Sequence, residues 1–124
     1  MNFKAIAAAA DDSNSPSLDL RRCPDQYVGA LAAMQAIGEF PLRQPASSRP
    51  DGSAVILILE SPHVHEFVGE LGPAKGPTGK NIARFATRVS GLEAAGSLPL
   101  ILMNAIQYQC SLGLPTDRFR DKVF

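Results

Sequence analysis

Two groups of polar residues with the chemistry of an active or binding site each follow an apolar segment of this 124-residue chain. The first group is Glu60, Ser61, Pro62, His63 and His65, and the second is Asn104 and Gln107. A carboxylate can position water, an imidazole can move protons or hold a metal, and an amide can donate and accept hydrogen bonds. Because open parallel sheets bind ligands outside the carboxyl ends of their strands, both groups are expected to line one pocket.

Each of these residues also has an ordinary structural interpretation. For a lone Glu60 at a strand end, facing solvent or a helix is the commoner outcome, and Asn104 can simply bond the turn after its strand. The His63 and His65 pair, with Glu66, could hold a metal. A third ligand at a recognisable spacing is lacking, so no metal is expected.

The elements that would position these residues follow an α/β pattern. The continuous apolar runs 54–60 and 98–104 predict strands buried on both faces of a sheet. A helix from about Thr78 to Ser90 joins them into a βαβ unit with parallel strands. A helix through residues 24–40, with Tyr27, Leu31 and Met34 on one face, and a short C-terminal helix holding Phe119 complete the helices.

Two strands are few for a sheet, so further strands are expected from segment 1–22, from segment 105–112 or from a partner chain. The last source leaves room for a homodimer. The predicted fold class is α/β, with a small open, mostly parallel sheet flanked by helices in a single domain of residues 1–124. Segment 1–22 is expected to be partly ordered.

The composition excludes several classes of protein. Lys and Arg total 12 and Asp and Glu total 12, so there is no basic excess for direct nucleic-acid binding. No apolar run is long enough for a membrane helix. Two cysteines indicate a reduced, cytoplasmic location. Cys110 could form a nucleophilic pair with a histidine, although a buried inert thiol is the favoured interpretation.

The segment before the predicted second helix resembles a phosphate-binding loop only in part. Ala74 stands where that loop needs its first glycine, and Asn81 stands where it needs Ser or Thr for magnesium. Lys80 at the helix N-terminus could hold some other anion, and a solvated loop is an equal alternative. No cofactor is expected.

The charges are segregated although they sum to zero. Segment 51–70 contains acids and no cation, namely Asp51, Glu60, Glu66 and Glu70. Segment 75–88 contains cations and no acid, namely Lys75, Lys80, Arg84 and Arg88. Two solvated faces explain this pattern, and so does an acidic rim suited to a charged protein partner.

Three short segments, 59–63, 76–82 and 102–106, resemble motifs of the uracil-DNA glycosylase superfamily and occur in the same order. The resemblance implies that Glu60 positions the attacking water and that Asn104 hydrogen-bonds a flipped base. The late histidine motif and the DNA-wedging loop of the family have no counterpart in this sequence, since His63 and His65 occur early. The resemblance therefore implies a truncated and inactive member.

Truncated glycosylase-like modules occur among anti-CRISPR proteins of phages and mobile elements, notably against type I-C systems. The leading hypothesis is a non-catalytic inhibitor in the bacterial cytoplasm that binds the type I-C Cascade complex and blocks target DNA. Its contacts would be the acids of segment 51–70, which would imitate phosphates. The alternative is a minimal N-glycosidic hydrolase that uses Glu60 and Asn104, with His63 as a further candidate.

Overall fold

The computed structural model describes residues 21–109 of the chain. This part contains four strands, β1 (Gln26–Ala30), β2 (Gln44–Pro45), β3 (Val55–Leu59) and β4 (Pro99–Asn104), and two α-helices, α1 (Leu31–Ile37) and α2 (Pro77–Phe85). The strands form one open mixed sheet in the order β2-β1-β4-β3. The predictions for Cys110, for the C-terminal helix and for most of segment 1–22 lie outside the described residues.

β3 and β4 are the parallel pair that the two apolar runs predict. Their register runs from Val55 opposite Leu100 to Leu59 opposite Asn104. α2 lies between them in the chain and begins with Pro77 at its first position, where the missing N–H of proline costs no helical hydrogen bond. A 3-10 turn extends the helix to Arg88. The α/β class and the parallel pair are therefore confirmed.

The predicted N-terminal helix is wrong in its first half, because Gln26–Ala30 form β1. Tyr27 thus lies in a strand, while Leu31 is a buried residue of α1. Gly29 has a φ of 106°, which a right-handed helix cannot contain. A Cβ at that position would lie 2.4 Å from Cγ of Pro41, so the chain needs glycine there.

The sheet is mixed, and the prediction of a mostly parallel sheet is wrong. β1 is antiparallel to both of its neighbours, with Gln26 opposite Leu102 of β4 and opposite Pro45 of β2. The described sheet takes its two further strands from residues 26–45. For the described residues the expectation that they come from segments 1–22 or 105–112 is therefore wrong, and a strand from a partner chain stays a prediction.

Both α-helices pack against the same face of the sheet. The side chains that join helices and sheet there are fully or almost fully buried: Val28, Leu31, Met34, Ala83, Leu100 and Leu102. The sheet residues of this buried cluster belong to β1 and β4, the two inner strands. Because residues of both helices belong to the same cluster, the helices lie on one side of the sheet.

The opposite face of the sheet is apolar and exposed at β3, whereas Ile101 of β4, the register partner of Ile56, is buried on that face. Ile56 is 56% exposed and Ile58 is 62% exposed, while the alternate residues of β3 face the core. The prediction that β3 is buried on both faces is wrong here. A continuous aliphatic run does not distinguish a strand with two covered faces from a strand with one covered and one open face.

Candidate functional site

The two predicted groups of polar residues lie side by side at the carboxyl ends of β3 and β4. Strand pairing continues past these ends, because Ala105 N–H donates to the Leu59 carbonyl at 2.8 Å and Ile106 N–H donates to the Glu60 carbonyl at 3.0 Å. An open cleft of about 680 Å³ lies at this edge. Its wall includes apolar and polar side chains, namely Ile58, Met103, Arg22, Asp25, Asn104 and Gln107.

Asn104 is the most deeply buried polar residue of this cleft, with 3% of its surface exposed. Its Nδ2 donates to Cys23 Sγ at 3.6 Å. Its Oδ1 is buried and has no hydrogen-bond partner among the described residues. A buried acceptor without a donor costs about 1–3 kcal/mol. This oxygen is therefore an unsatisfied acceptor that is enclosed in the wall of the cleft.

Glu60 does not share the cleft with Asn104. Leu59 and Asn104 are register partners, so their side chains point to the same face of the sheet. Glu60 follows the end of β3, where the Leu59 and Glu60 carbonyls both accept hydrogen bonds from the segment after β4, so the alternation of β3 does not continue through Glu60. Glu60 is exposed, and it is not among the residues that line the cleft. The two residues of the hydrolase hypothesis therefore do not line one cavity.

Gln107 is held in place by its neighbours at the cleft. Its Nε2 donates to Asp25 Oδ1 at 2.6 Å, and its Oε1 accepts from Arg22 Nε. The Gln107 carbonyl also accepts from the Cys23 N–H at 2.7 Å. These bonds fasten the segment before β1 to the segment after β4, so one wall of the cleft is built from both ends of the described chain.

His63 and His65 cap a turn. His63 is the N-cap of the 3-10 turn Val64–Phe67, its Nδ1 accepts from the His65 N–H at 3.3 Å, and its own N–H donates to the Glu66 carboxylate. Burial and the nearby charge of His65 lower the pKa of His63, which favours the neutral ring that can accept this bond. Among residues 21–109 no three potential ligands gather into a metal site.

Ser61 and Pro62 connect β3 to this turn. Ser61 is half-buried and Pro62 is fully buried. Neither residue, nor His63 or His65, lines the cleft at Asn104. Of the six predicted pocket residues, only Asn104 and Gln107 are therefore brought together in one cavity.

Glu66 lies in the interior and not on a rim, with 6% of its surface exposed. One carboxylate oxygen accepts from the Ala74 N–H at 2.5 Å, and the other accepts from the His63 N–H. Burial raises the pKa of Glu66, and these two amide bonds and the charge of Arg43 oppose the increase. Glu66 holds the loop between β3 and α2 in place and cannot contact a partner.

Arg43, which no sequence pattern singles out, connects β1 to the same loop. Its guanidinium donates to Gln26 Oε1 at 2.8 Å and to the carbonyls of Pro73 and Ala74 at 2.7 and 3.0 Å. Gln26 in turn donates to the Leu71 carbonyl at 3.0 Å. No local pattern distinguishes Arg43 from a solvated arginine, because its partners are far away in the sequence.

The four acids of segment 51–70 do not form one continuous rim. Asp51 precedes β3 and Glu60 follows it. The five residues of β3 span roughly 16 Å, so the two acids lie at opposite ends of the strand. Glu70 is exposed on the loop before α2, where Lys75 Nζ donates to its backbone carbonyl at 2.6 Å. With Glu66 buried, the exposed acids at the carboxyl edge are Glu60 and Glu70.

The predicted basic segment is divided as well. Lys75 is engaged with the loop, since its Nζ also donates to the Val68 carbonyl. Lys80 and Arg84 are exposed on α2. A small cleft of about 200 Å³ at the start of α2 has Lys75 and Lys80 in its wall, and Glu39 lies there too. The acid and the cations therefore share this cleft.

Cys23 is expected not to react with thiol reagents in the folded protein. It is 1% exposed, and burial, together with the charge of Glu66, raises the pKa of its thiol to about 11. The reactive thiolate is therefore scarce at neutral pH. In a Cys110→Ser variant, an aromatic disulfide reagent should label Cys23 only after denaturation. Rapid labelling of the native variant would contradict this placement.

The fold and the cleft define a small α/β domain with an open four-stranded mixed sheet and helices on one face. Neither helix of the described part combines the length and apolarity that crossing a membrane requires. No family model, no curated protein and no solved structure matches this chain.

Proposed function

We propose that this protein is a non-catalytic inhibitor with a reduced uracil-DNA glycosylase-like domain. In this proposal it acts in the bacterial cytoplasm as an anti-CRISPR protein that binds type I-C Cascade and blocks its target DNA. The observation that supports a binding role over catalysis is that Asn104 is buried in the wall of the cleft, whereas Glu60 is exposed and does not line it. A water positioned by Glu60 would lie outside the cleft in which Asn104 would hold a base.

The proposed contact surface is the pair of exposed acids Glu60 and Glu70, which we call the acidic pair. Glu70 borders a second cleft of about 440 Å³, and Asp25 borders both this cleft and the cleft at Asn104. Carboxylates placed here would meet the cations that otherwise hold DNA phosphates. Asp51, at the far end of β3, would be a peripheral contact.

The test is competition between the protein and a target duplex for purified Cascade. Replacing the acidic pair in a Glu60→Ala/Glu70→Ala variant is expected to raise the concentration for half-inhibition by about tenfold. The matched control is Glu39→Ala/Glu93→Ala, which removes two exposed acids elsewhere and should inhibit like the wild type. DNA binding that the wild-type protein leaves unchanged, or equal potency of the two variants, would contradict the proposal.

One observation favours the second candidate, an N-glycosidic hydrolase. The unpartnered Oδ1 of Asn104 beside an open cleft of about 680 Å³ would suit the N–H edge of a base. Incubation with uracil-containing single-stranded and duplex DNA separates the two functions. We expect no free uracil. Release that is lost in Asn104→Ala and kept in Asn81→Ala, a control on the exposed side of α2, would establish the hydrolase instead.

A further inference from the structure

β3 is an edge strand, and its outer side has no neighbour among the described residues. The Leu59 carbonyl accepts from Ala105, so the backbone groups of Leu59 point towards β4. Because these groups alternate along a strand, the N–H and C=O groups of Ile56 and Ile58 point away from the sheet. β3 contains no proline, no charge and no bulge, the features with which proteins usually protect an edge.

An apolar groove of about 510 Å³ lies beside this edge on the helical face. Its wall combines Leu57 of β3 with Ile82 and Phe85 of α2 and with Val89 after it. Phe85 is 46% exposed and Val89 is 54% exposed. A strand added to the edge would place its alternate side chains in this groove. Its other side chains would extend the open face that carries Ile56 and Ile58.

We propose that the free edge of β3 pairs antiparallel with β3 of a second copy, about a two-fold axis at Leu57. This register places Ile56 of each copy opposite Ile58 of the other and aligns their outward backbone groups. The aliphatic sequence of β3 and its alternating exposure are nearly the same in both directions about Leu57, so the strand complements itself. Self-complementary patches are what a two-fold interface requires.

The charges that flank β3 are compatible with the same register. It places Glu60 of one copy opposite Ala54 of the other. The loop before Ala54 carries Arg49, whose guanidinium donates to the Pro50 and Gly52 carbonyls at 3.1 and 2.8 Å, and also the exposed Asp51. Each end of the paired strands would thus bring Glu60 to a loop with one guanidinium and one carboxylate, and no two charged residues face each other directly from Ala54 to Glu60.

The oligomeric state of the full chain tests the proposal. We expect light scattering and sedimentation to give the mass of two chains at high micromolar concentration, and amide exchange in β3 to slow as concentration rises. Ile56→Lys/Ile58→Lys should reduce the mass to that of one chain, with an unchanged circular dichroism spectrum because both side chains are exposed. Ile37→Lys/Val68→Lys, at two exposed apolar positions elsewhere, should remain dimeric.

Two results would overturn the proposal. The first is a wild-type chain that stays monomeric, with β3 exchange independent of concentration. The second is a dimer that survives the lysine pair in β3 or that the control pair dissociates, because either outcome places the contact on another surface.

Discussion

Gly79→Ala is expected to destabilise the protein by about 3 kcal/mol. Gly79 is buried in α2, and a Cβ there would lie 1.8 Å from the Ala74 carbonyl oxygen and 3.2 Å from Cε2 of Phe40. A contact with backbone cannot be relieved by a change of rotamer, so the helix must move away from the loop that precedes it. That movement would also disturb the Arg43 bond to the Ala74 carbonyl.

Urea unfolding followed by circular dichroism measures this effect. Gly96→Ala is the matched control, because its Cβ would meet Cβ of Ala32 at an ordinary 3.5 Å. Its stability should stay within about 1 kcal/mol of the wild type. A Gly79→Ala protein as stable as the control would show that α2 is not packed this closely on residues 74–76.

Glu66→Ala is expected to cost about 3 kcal/mol, which makes it the other large effect. The change leaves the buried Ala74 N–H without an acceptor, removes the acceptor of the His63 N–H and removes the negative charge near Arg43. Glu70→Ala is the control, because its exposed side chain should contribute less than about 0.5 kcal/mol. Equal stability of the two variants in urea would contradict the interior placement of Glu66.

Glu66 also predicts a pH dependence. Burial raises its pKa in the folded protein above the value of 4.5 expected in the unfolded chain. The folded state therefore binds the proton more tightly, and this contribution to stability is present below pH 4.5 and is lost as pH rises through the folded pKa. The free energy of unfolding of the wild type minus that of Glu66→Gln should thus fall from acidic to neutral pH. A value that rises instead would contradict a raised pKa.

The sequence predicts the parallel strands and α2 because each has a long, consistent apolar pattern. It does not predict β1, because the spacing of Tyr27, Leu31 and Met34 fits one helical face across the boundary at Ala30. Gly29 combines a positive φ with a close approach of Pro41, a contact that only the folded chain makes. Which face of β3 the helices cover is likewise decided by packing that no local pattern records.

The candidate site shows the same contrast between features that local patterns predict and features that depend on tertiary contacts. Topology alone predicts that residues 60–65 lie beside residues 104–107, and the structure brings Glu60 next to Ile106 while residues 61–65 do not line the cleft. The sequence contains one signal for the role of Glu66, because a residue that caps a turn, followed three positions later by Glu, is a capping-box pattern. The partners Arg43 and Ala74 cannot be predicted from the sequence, since they approach Glu66 only after folding. The burial of Asn104 in the cleft wall and the position of Glu60 outside it depend on packing that only the folded chain defines.

The position of β4 has a consequence for how the protein is made. β4 lies between β1 and β3, yet it is the last described strand to leave the ribosome. β1 and β3 do not pair with each other. Until β4 is made, each therefore exposes an aliphatic edge that has no partner strand in the described part of the nascent chain. Assembly of the sheet therefore waits for release of the segment after residue 99, and a delay in translation before that point lengthens the exposure to aggregation or to chaperones.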